Sequence, residues 1–406
     1  MSAEVQHTSI WANRGFRAYL HSTAFTGMAF AMQQLLVSWL LIGVLLLPAD
    51  RVGFLQAMIG LPGIFLMLWG GASADRRDPR RLLMQTYGIA PVFPLLLLAT
   101  DYSGAVTVWS VLLFGLGMSV VMSFSMPAQQ AILNRVSGKD IQRGVSGSTA
   151  VGFLVQVTGL MLAGQMDRLG LTTVLGVQAI CLIAGVFTIR RIEAVTAAGT
   201  AASESPLRTI AAGLQATFRT KVIFHVLSIN FVSSIFNAGA FMTVFPFIIK
   251  RVDDGDALLL GAMMAVFFAG ATVSNLLMFK LMPFARPGRL FLLMQLSRIV
   301  VLFLLWIEPS WWLLVVAIIG WGMNMGFTTT LARAIVQESA AAEFRGRIMS
   351  VFALGMLGSA PIGAIVLGWV IEVFGTLNAL IPAMVTSAVL CAIGILFTDI
   401  WRYQSR

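Results

Sequence analysis

The sequence predicts an all-α membrane protein of twelve transmembrane helices arranged as two pseudo-symmetric six-helix bundles. Three observations lead there. Of 406 residues, 58% are hydrophobic and 11% charged, whereas a soluble domain carries about 25% charged residues. Twelve apolar runs follow one another, each near the ~20 residues that a span requires. Landmarks of the first half return in the second at an offset of about 200 residues.

The runs of the first half cover 18–47, 52–74, 82–100, 105–133, 143–166 and 171–189. Those of the second cover 222–249, 257–281, 289–307, 311–335, 347–371 and 376–398. The first run is too long, and lacks the small-residue cleavage site, for a signal peptide, so it reads as the first span. An even number of spans puts both termini on one side. With the N-terminus inside, the outer loops keep only Arg51, Arg168, Lys250 and Arg251 of the 27 Lys and Arg residues. That asymmetry makes both termini cytoplasmic in a multi-pass protein of the bacterial inner membrane. The net charge of +10 is spread over short clusters between spans, so it speaks for topology and against nucleic acid as a partner. Cys181 and Cys391 lie within apolar runs and read as packing residues, not a disulfide.

The longest segment between spans, Arg190–Arg219, contains TAAGTAASESP, whose small and polar residues cannot build a core. It divides the chain into an N-terminal bundle (1–190), a flexible cytoplasmic linker (191–220) and a C-terminal bundle (221–406). The repeat supports this division. Ala131-Ile132, Arg143-Gly144 and Asp167-Arg168-Leu169-Gly170 in the first half correspond to Ala334-Ile335, Arg345-Gly346 and Glu372-Val373-Phe374-Gly375 in the second. Two parallel repeats of this kind build known transporters.

Between spans 2 and 3 the chain reads Gly70-Gly71-Ala72-Ser73-Ala74-Asp75-Arg76-Arg77-Asp78-Pro79-Arg80-Arg81-Leu82-Leu83. This resembles the loop signature G-x-L-A-D-R-x-G-R-K of the major facilitator superfamily, with Ser73 in place of its leucine. Asp78, where most facilitators have glycine, is similar to the branch of enterobactin exporters and macrolide efflux proteins. Met32-Gln33-Gln34, Ser38-Trp39-Leu40, Leu61-Pro62, Met126-Pro127-Ala128-Gln129-Gln130-Ala131, Phe344-Arg345-Gly346-Arg347-Ile348-Met349-Ser350 and Ala360-Pro361-Ile362-Gly363 extend the resemblance over nearly the whole length. It implies the major facilitator fold and secondary transport by alternating access. The implied activity is export of a small amphiphilic molecule, siderophore or drug-like, with proton antiport left open. A lysophospholipid flippase of the same fold is the alternative. The expected partners are that substrate, the lipid bilayer and, where coupling exists, protons.

The resemblance implies a cytoplasmic latch at this loop, with Gly71 permitting close helix approach and Asp75, Arg76, Arg80 and Arg81 as its charged members. Arg345 and Arg347, bracketing the start of span 11, are its expected partners. Polar side chains at membrane depth are costly and therefore candidates for function. By depth these are Gln33 and Gln34 (span 1), Gln156 (span 5), Asn237 (span 7) and Asn324 (span 10), expected to line a substrate pocket among apolar side chains. Arg298 is the one basic residue placed mid-membrane. Because span 9 is peripheral in the resembled fold, it is expected to snorkel or to find a structural partner rather than bind an anion.

Proton coupling needs a group reachable from both sides, and no span interior carries a clear carboxylate. Asp167 and Glu372, at repeat-related outer ends of spans 5 and 11, and His21 and His225, near inner ends, are the candidates. Gly152, Gly159, Gly164, Gly355, Gly358, Gly363 and Gly368 are expected to allow close packing or bending. The chain has no GxxxxGK[ST], no HExxH and no Cys/His cluster, so no enzyme, cofactor or metal is expected.

Overall fold

The computed structural model describes residues 10–76, 78–193, 206–341 and 343–405, with backbone alone at 68, 70–76, 139, 142 and 206–210. Lipid offers no hydrogen-bond partners, so each apolar run must satisfy its own backbone, and the helix is the solution. The spanning helices are α1 (Arg14–Val44), α3 (Pro79–Tyr102), α4 (Val108–Ser137), α5 (Arg143–Gly164) and α6 (Leu171–Ile189). They continue with α7 (Lys221–Val252), α8 (Ala257–Leu281), α9 (Pro287–Trp306), α10 (Trp311–Ser339), α11 (Arg345–Phe374) and α12 (Asn378–Leu396). These eleven are long and apolar enough to cross a membrane among the described residues. The remaining long helix, α2, runs 28 residues from Ala49 to Arg76.

Helix starts follow side-chain chemistry. Thr107 and Ser110 form a reciprocal capping box at α4, and Asp256 accepts from the Leu259 amide at 2.8 Å at the start of α8. Two repeat-related glycines explain part of the sequence repeat. Gly170 (φ 83°, ψ 146°) and Gly375 (φ 91°, ψ 161°) occupy a backbone region open essentially to glycine alone. The α1 helix ends in a π-turn, Leu40–Val44. The corresponding end of α7 holds two, Ala240–Val244 and Ile248–Val252.

The described residues form two compact units, those within 1–34 and 65–203, and those within 35–64 and 204–406. The last part of α1 and the first part of α2 thus pack with the second half of the chain, across the boundary expected from the repeat. In the first unit, buried Gln178 donates to the Ala29 carbonyl at 2.9 Å and ties α6 to α1. In the second, Phe241, Phe245, Phe267 and Trp321 form an aromatic core on α7, α8 and α10, with Phe241 and Phe267 stacked at 4.0 Å. The segment read as a coreless linker contains a helix, Pro206–Arg219. It docks on α11, where a Cβ on Gly213 would stand 2.5 Å from the Arg347 carbonyl oxygen. Small residues at helical spacing let it pack closely, which composition alone did not reveal.

Candidate gating and transport site

At the end that the charge pattern assigns to the outside, α2, α7 and α11 meet inside the second unit along a seam of backbone contacts. A Cβ on Gly53 of α2 would collide with the Ala364 carbonyl of α11. One on Gly368 would stand 2.5 Å from the Ala49 carbonyl. Gly239 of α7 and Gly363 of α11 approach as closely, a Cβ on the former lying 2.5 Å from the carbonyl carbon of the latter. Of the glycines expected to pack, Gly159 of α5 does so against the Met28 carbonyl, together with Gly363 and Gly368, whereas Gly152 and Gly358 face open space.

One amide fastens this seam. Gln56 of α2 donates through Nε2 to the Met242 carbonyl at 3.1 Å, and its Oε1 accepts from the Thr243 hydroxyl at 2.7 Å. Both partners lie in a π-turn of α7, a widened turn often found at functional positions. Gln56 was absent from the residues expected at the site. Its isolation between Leu55 and Ala57 is the same signal that marked the other amides. Glu372 accepts from the Ala49 amide at 3.1 Å and lies 4.0 Å from Arg251, capping the start of α2 with a charge.

At the other end, the side chains of Gly71, Asp75 and Arg76 lie outside the described residues. The described acid of this loop is Asp78, which caps α3 by accepting from the Arg80 amide at 3.1 Å and faces Arg135 of α4 at 3.9 Å. Arg80 donates to the Arg190 carbonyl at 2.8 Å. Arg81 and Arg345 are exposed, and the half-buried Arg347 guanidinium lies 5.9 Å from the Phe344 ring centroid.

The five amides separate into two groups. In the first unit, half-buried Gln156 donates to Gln34 at 3.1 Å, joining α5 to α1, and Gln33 beside it is half-buried. In the second unit, Asn237 accepts from the Trp321 indole at 2.7 Å, and Asn324 contacts Arg298, Ser297 and the Met294 carbonyl. Asn237 and Asn324 are buried, at 8% and 3% exposure, with their oxygens engaged within the bundle. Arg298 does not snorkel: it is 3% exposed and enclosed by α7, α9 and α10.

Among the coupling candidates, Glu372 lies in the seam, while Asp167 and His21 are exposed. His225 is half-buried beside Phe224, at 5.8 Å between ring centroids, and its Nδ1 has no hydrogen-bond partner among the described residues.

The chain belongs to the transmembrane secretion effector family, whose model matches residues 8–402. Nothing matches among curated protein sequences. Among solved structures, a point mutant of the nucleoside transporter NupG is 15% identical, with a TM-score of 0.78 over 94% of this chain and 99% of that one. A protein from a study of proton-dependent oligopeptide transporters is 11% identical, with a TM-score of 0.71 over 96% and 99%. A bacterial homologue of the human lysosomal transporter Spinster, inward-facing and unoccupied, is 14% identical, with a TM-score of 0.69 over 96% and 98%. At such identities the likeness is one of fold. The protein is a multi-pass membrane transporter of the major facilitator type, with two pseudo-symmetric six-helix bundles.

Proposed function

We propose that this transporter exports a small amphiphilic molecule, siderophore or drug-like, by alternating access. The observation that carries the reading is the seam of α2, α7 and α11. It is lined by glycines in backbone contact and bridged by the Gln56 amide and the Glu372 carboxylate, so a few polar bonds and close glycine approaches hold it closed. Interhelical hydrogen bonds in membranes average about 0.6 kcal/mol, which suits a gate that must open on every cycle. The family's description as a secretion effector supports the outward direction.

In this reading Gln33, Gln34, Gln156, Asn237 and Asn324 are the candidates for contact with the substrate. Asp75, with Arg345 and Arg347, latches the cytoplasmic end, and Arg76, Arg80 and Arg81 anchor that loop. Glu372 links the seam to protons, since neutralising it removes the charge that faces Arg251 and caps α2.

The test is uptake into inverted membrane vesicles offered a catecholate siderophore, a macrolide or a lysophospholipid, each with and without an uncoupler. Accumulation of the siderophore or the macrolide, abolished by the uncoupler, is the expected result. Lysophospholipid movement indifferent to the uncoupler would replace export with lipid flipping, and no movement of any of the three would overturn the reading.

A further inference from the structure

Arg298 is the most costly group that the gate and the proposed pocket leave unused. A guanidinium stays protonated in proteins, and a charge at membrane depth is retained only where something compensates it. Yet the oxygens around Arg298 are neutral. Its Nε donates to Asn324 Oδ1 at 3.1 Å, one terminal nitrogen to Gln295 Oε1 at 3.1 Å and to Ser233 Oγ, and the other reaches Thr328 Oγ1 at 3.5 Å. Among the described residues the ion pairs are Arg135 with Asp78 and Arg251 with Glu372, and neither includes Arg298.

A second observation comes from Gln295, which is fully buried at 0% exposure. Its Oε1 accepts from both Arg298 and Ser233, while its Nε2 has no acceptor among the described residues. A buried donor without an acceptor is itself unfavourable. The neighbouring hydrogens are already spent. Thr328 donates to the Asn324 carbonyl at 2.7 Å, and Asn324 Nδ2 donates to the Met294 carbonyl at 2.6 Å and to Ser297 Oγ at 2.8 Å. The cluster therefore combines one full positive charge, an orphaned amide donor and no negative charge.

The geometry points to an anion-binding site enclosed by α7, α9 and α10, in which a compact monovalent anion, halide or carboxylate, sits beside the Arg298 guanidinium and Gln295 Nε2. The anion is either a free ion or the carboxylate end of a longer molecule, and this site does not depend on which compound is exported.

The test is thermal unfolding of the purified full-length chain at constant ionic strength, with sodium isethionate progressively replaced by chloride or acetate. A saturable rise in Tm is expected for the wild type, following the mass-action law of a ligand that binds only the folded state. Arg298→Gln should abolish it. Because that variant removes a buried partner and is at risk of not folding, Gln295→Glu provides the second arm. Its carboxylate supplies the missing charge from within, so it should raise Tm in isethionate and remove the response to chloride and acetate. Hexanoate distinguishes the sources. Binding at least ~10-fold tighter than acetate marks the carboxylate end of an amphiphile, because the tail buries additional methylenes; binding of chloride and acetate without hexanoate marks a free ion. A wild type indifferent to chloride and acetate, or an Arg298→Gln variant that responds as the wild type does, would overturn the site.

Discussion

At the scale of single residues, Gln56 offers the most direct handle on the gate, because it donates to the Met242 carbonyl and, at 3.5 Å, to Ser38 Oγ, and accepts from the Thr243 hydroxyl. Gln56→Leu keeps the volume and deletes these bonds, so the seam should open more often by about 1 kcal/mol, or ~5-fold. Val52, fully buried one turn earlier, reports this. With Cys181 and Cys391 replaced by alanine, maleimide should label a cysteine at position 52 several-fold faster in the Gln56→Leu background, and an unchanged rate would remove Gln56 from the gate. Asp253, in the loop after α7, titrates separately. Partial burial, and next the nearby Glu308, hold its carboxyl above the ordinary 3.8. The folded state therefore binds its proton more tightly than the unfolded chain, and the resulting penalty is full above the folded pKa. That penalty disappears as pH falls through the folded pKa towards 3.8. Asp253→Asn should accordingly raise Tm at neutral pH, with the gain shrinking towards acid; a gain that grows on acidification would contradict this.

At the scale of helices, the seam depends on glycines whose neighbours are backbone, which cannot turn aside as a flexible side chain can. Gly53→Ala forces α2 away from the Ala364 carbonyl and should disfavour the closed seam by about 1–3 kcal/mol. The reactivity of the cysteine at position 52 should rise further than in Gln56→Leu, whereas Gly152→Ala, facing open space, should leave it unchanged. Equal effects of the two alanines would show that helix propensity, not close approach, governs the result. Helix existence was legible in the sequence because lipid imposes one solution on any long apolar run, and α6 and α8 match the expected 171–189 and 257–281 end for end. Which glycines touch was not legible, since Gly358 and Gly363 occupy the same helix and differ only in what lies opposite. The Arg298 cluster was hidden for the same reason: Ser233, Gln295 and Asn324 come from three helices, and span 9 carried no sign that its arginine turns inward. The docked helix Pro206–Arg219 was missed because its neighbours in sequence, rich in alanine, serine and threonine, obscured it.

At the scale of the whole molecule, orientation decides what the seam does, since a closure on the outer face belongs to one half of a transport cycle and a closure on the inner face to the other. The orientation rests on charge: Arg51, Arg168, Lys250 and Arg251 are few beside the clusters at 76–81, 135–143, 190–191, 280–289 and 345–347. Basic residues near span ends resist translocation, so the crowded side is the one expected inside. A green fluorescent protein joined after the C-terminus should then fluoresce, because it folds in the cytoplasm, and alkaline phosphatase joined after Asp254 should be active, because it requires the oxidising outer compartment. The reverse pattern would place the seam of α2, α7 and α11 on the cytoplasmic side and Asp75 outside. Gln56 and Glu372 would then guard the entrance rather than the exit of an exporter, and the expected effect of Gln56→Leu would pass from release of the substrate to its capture.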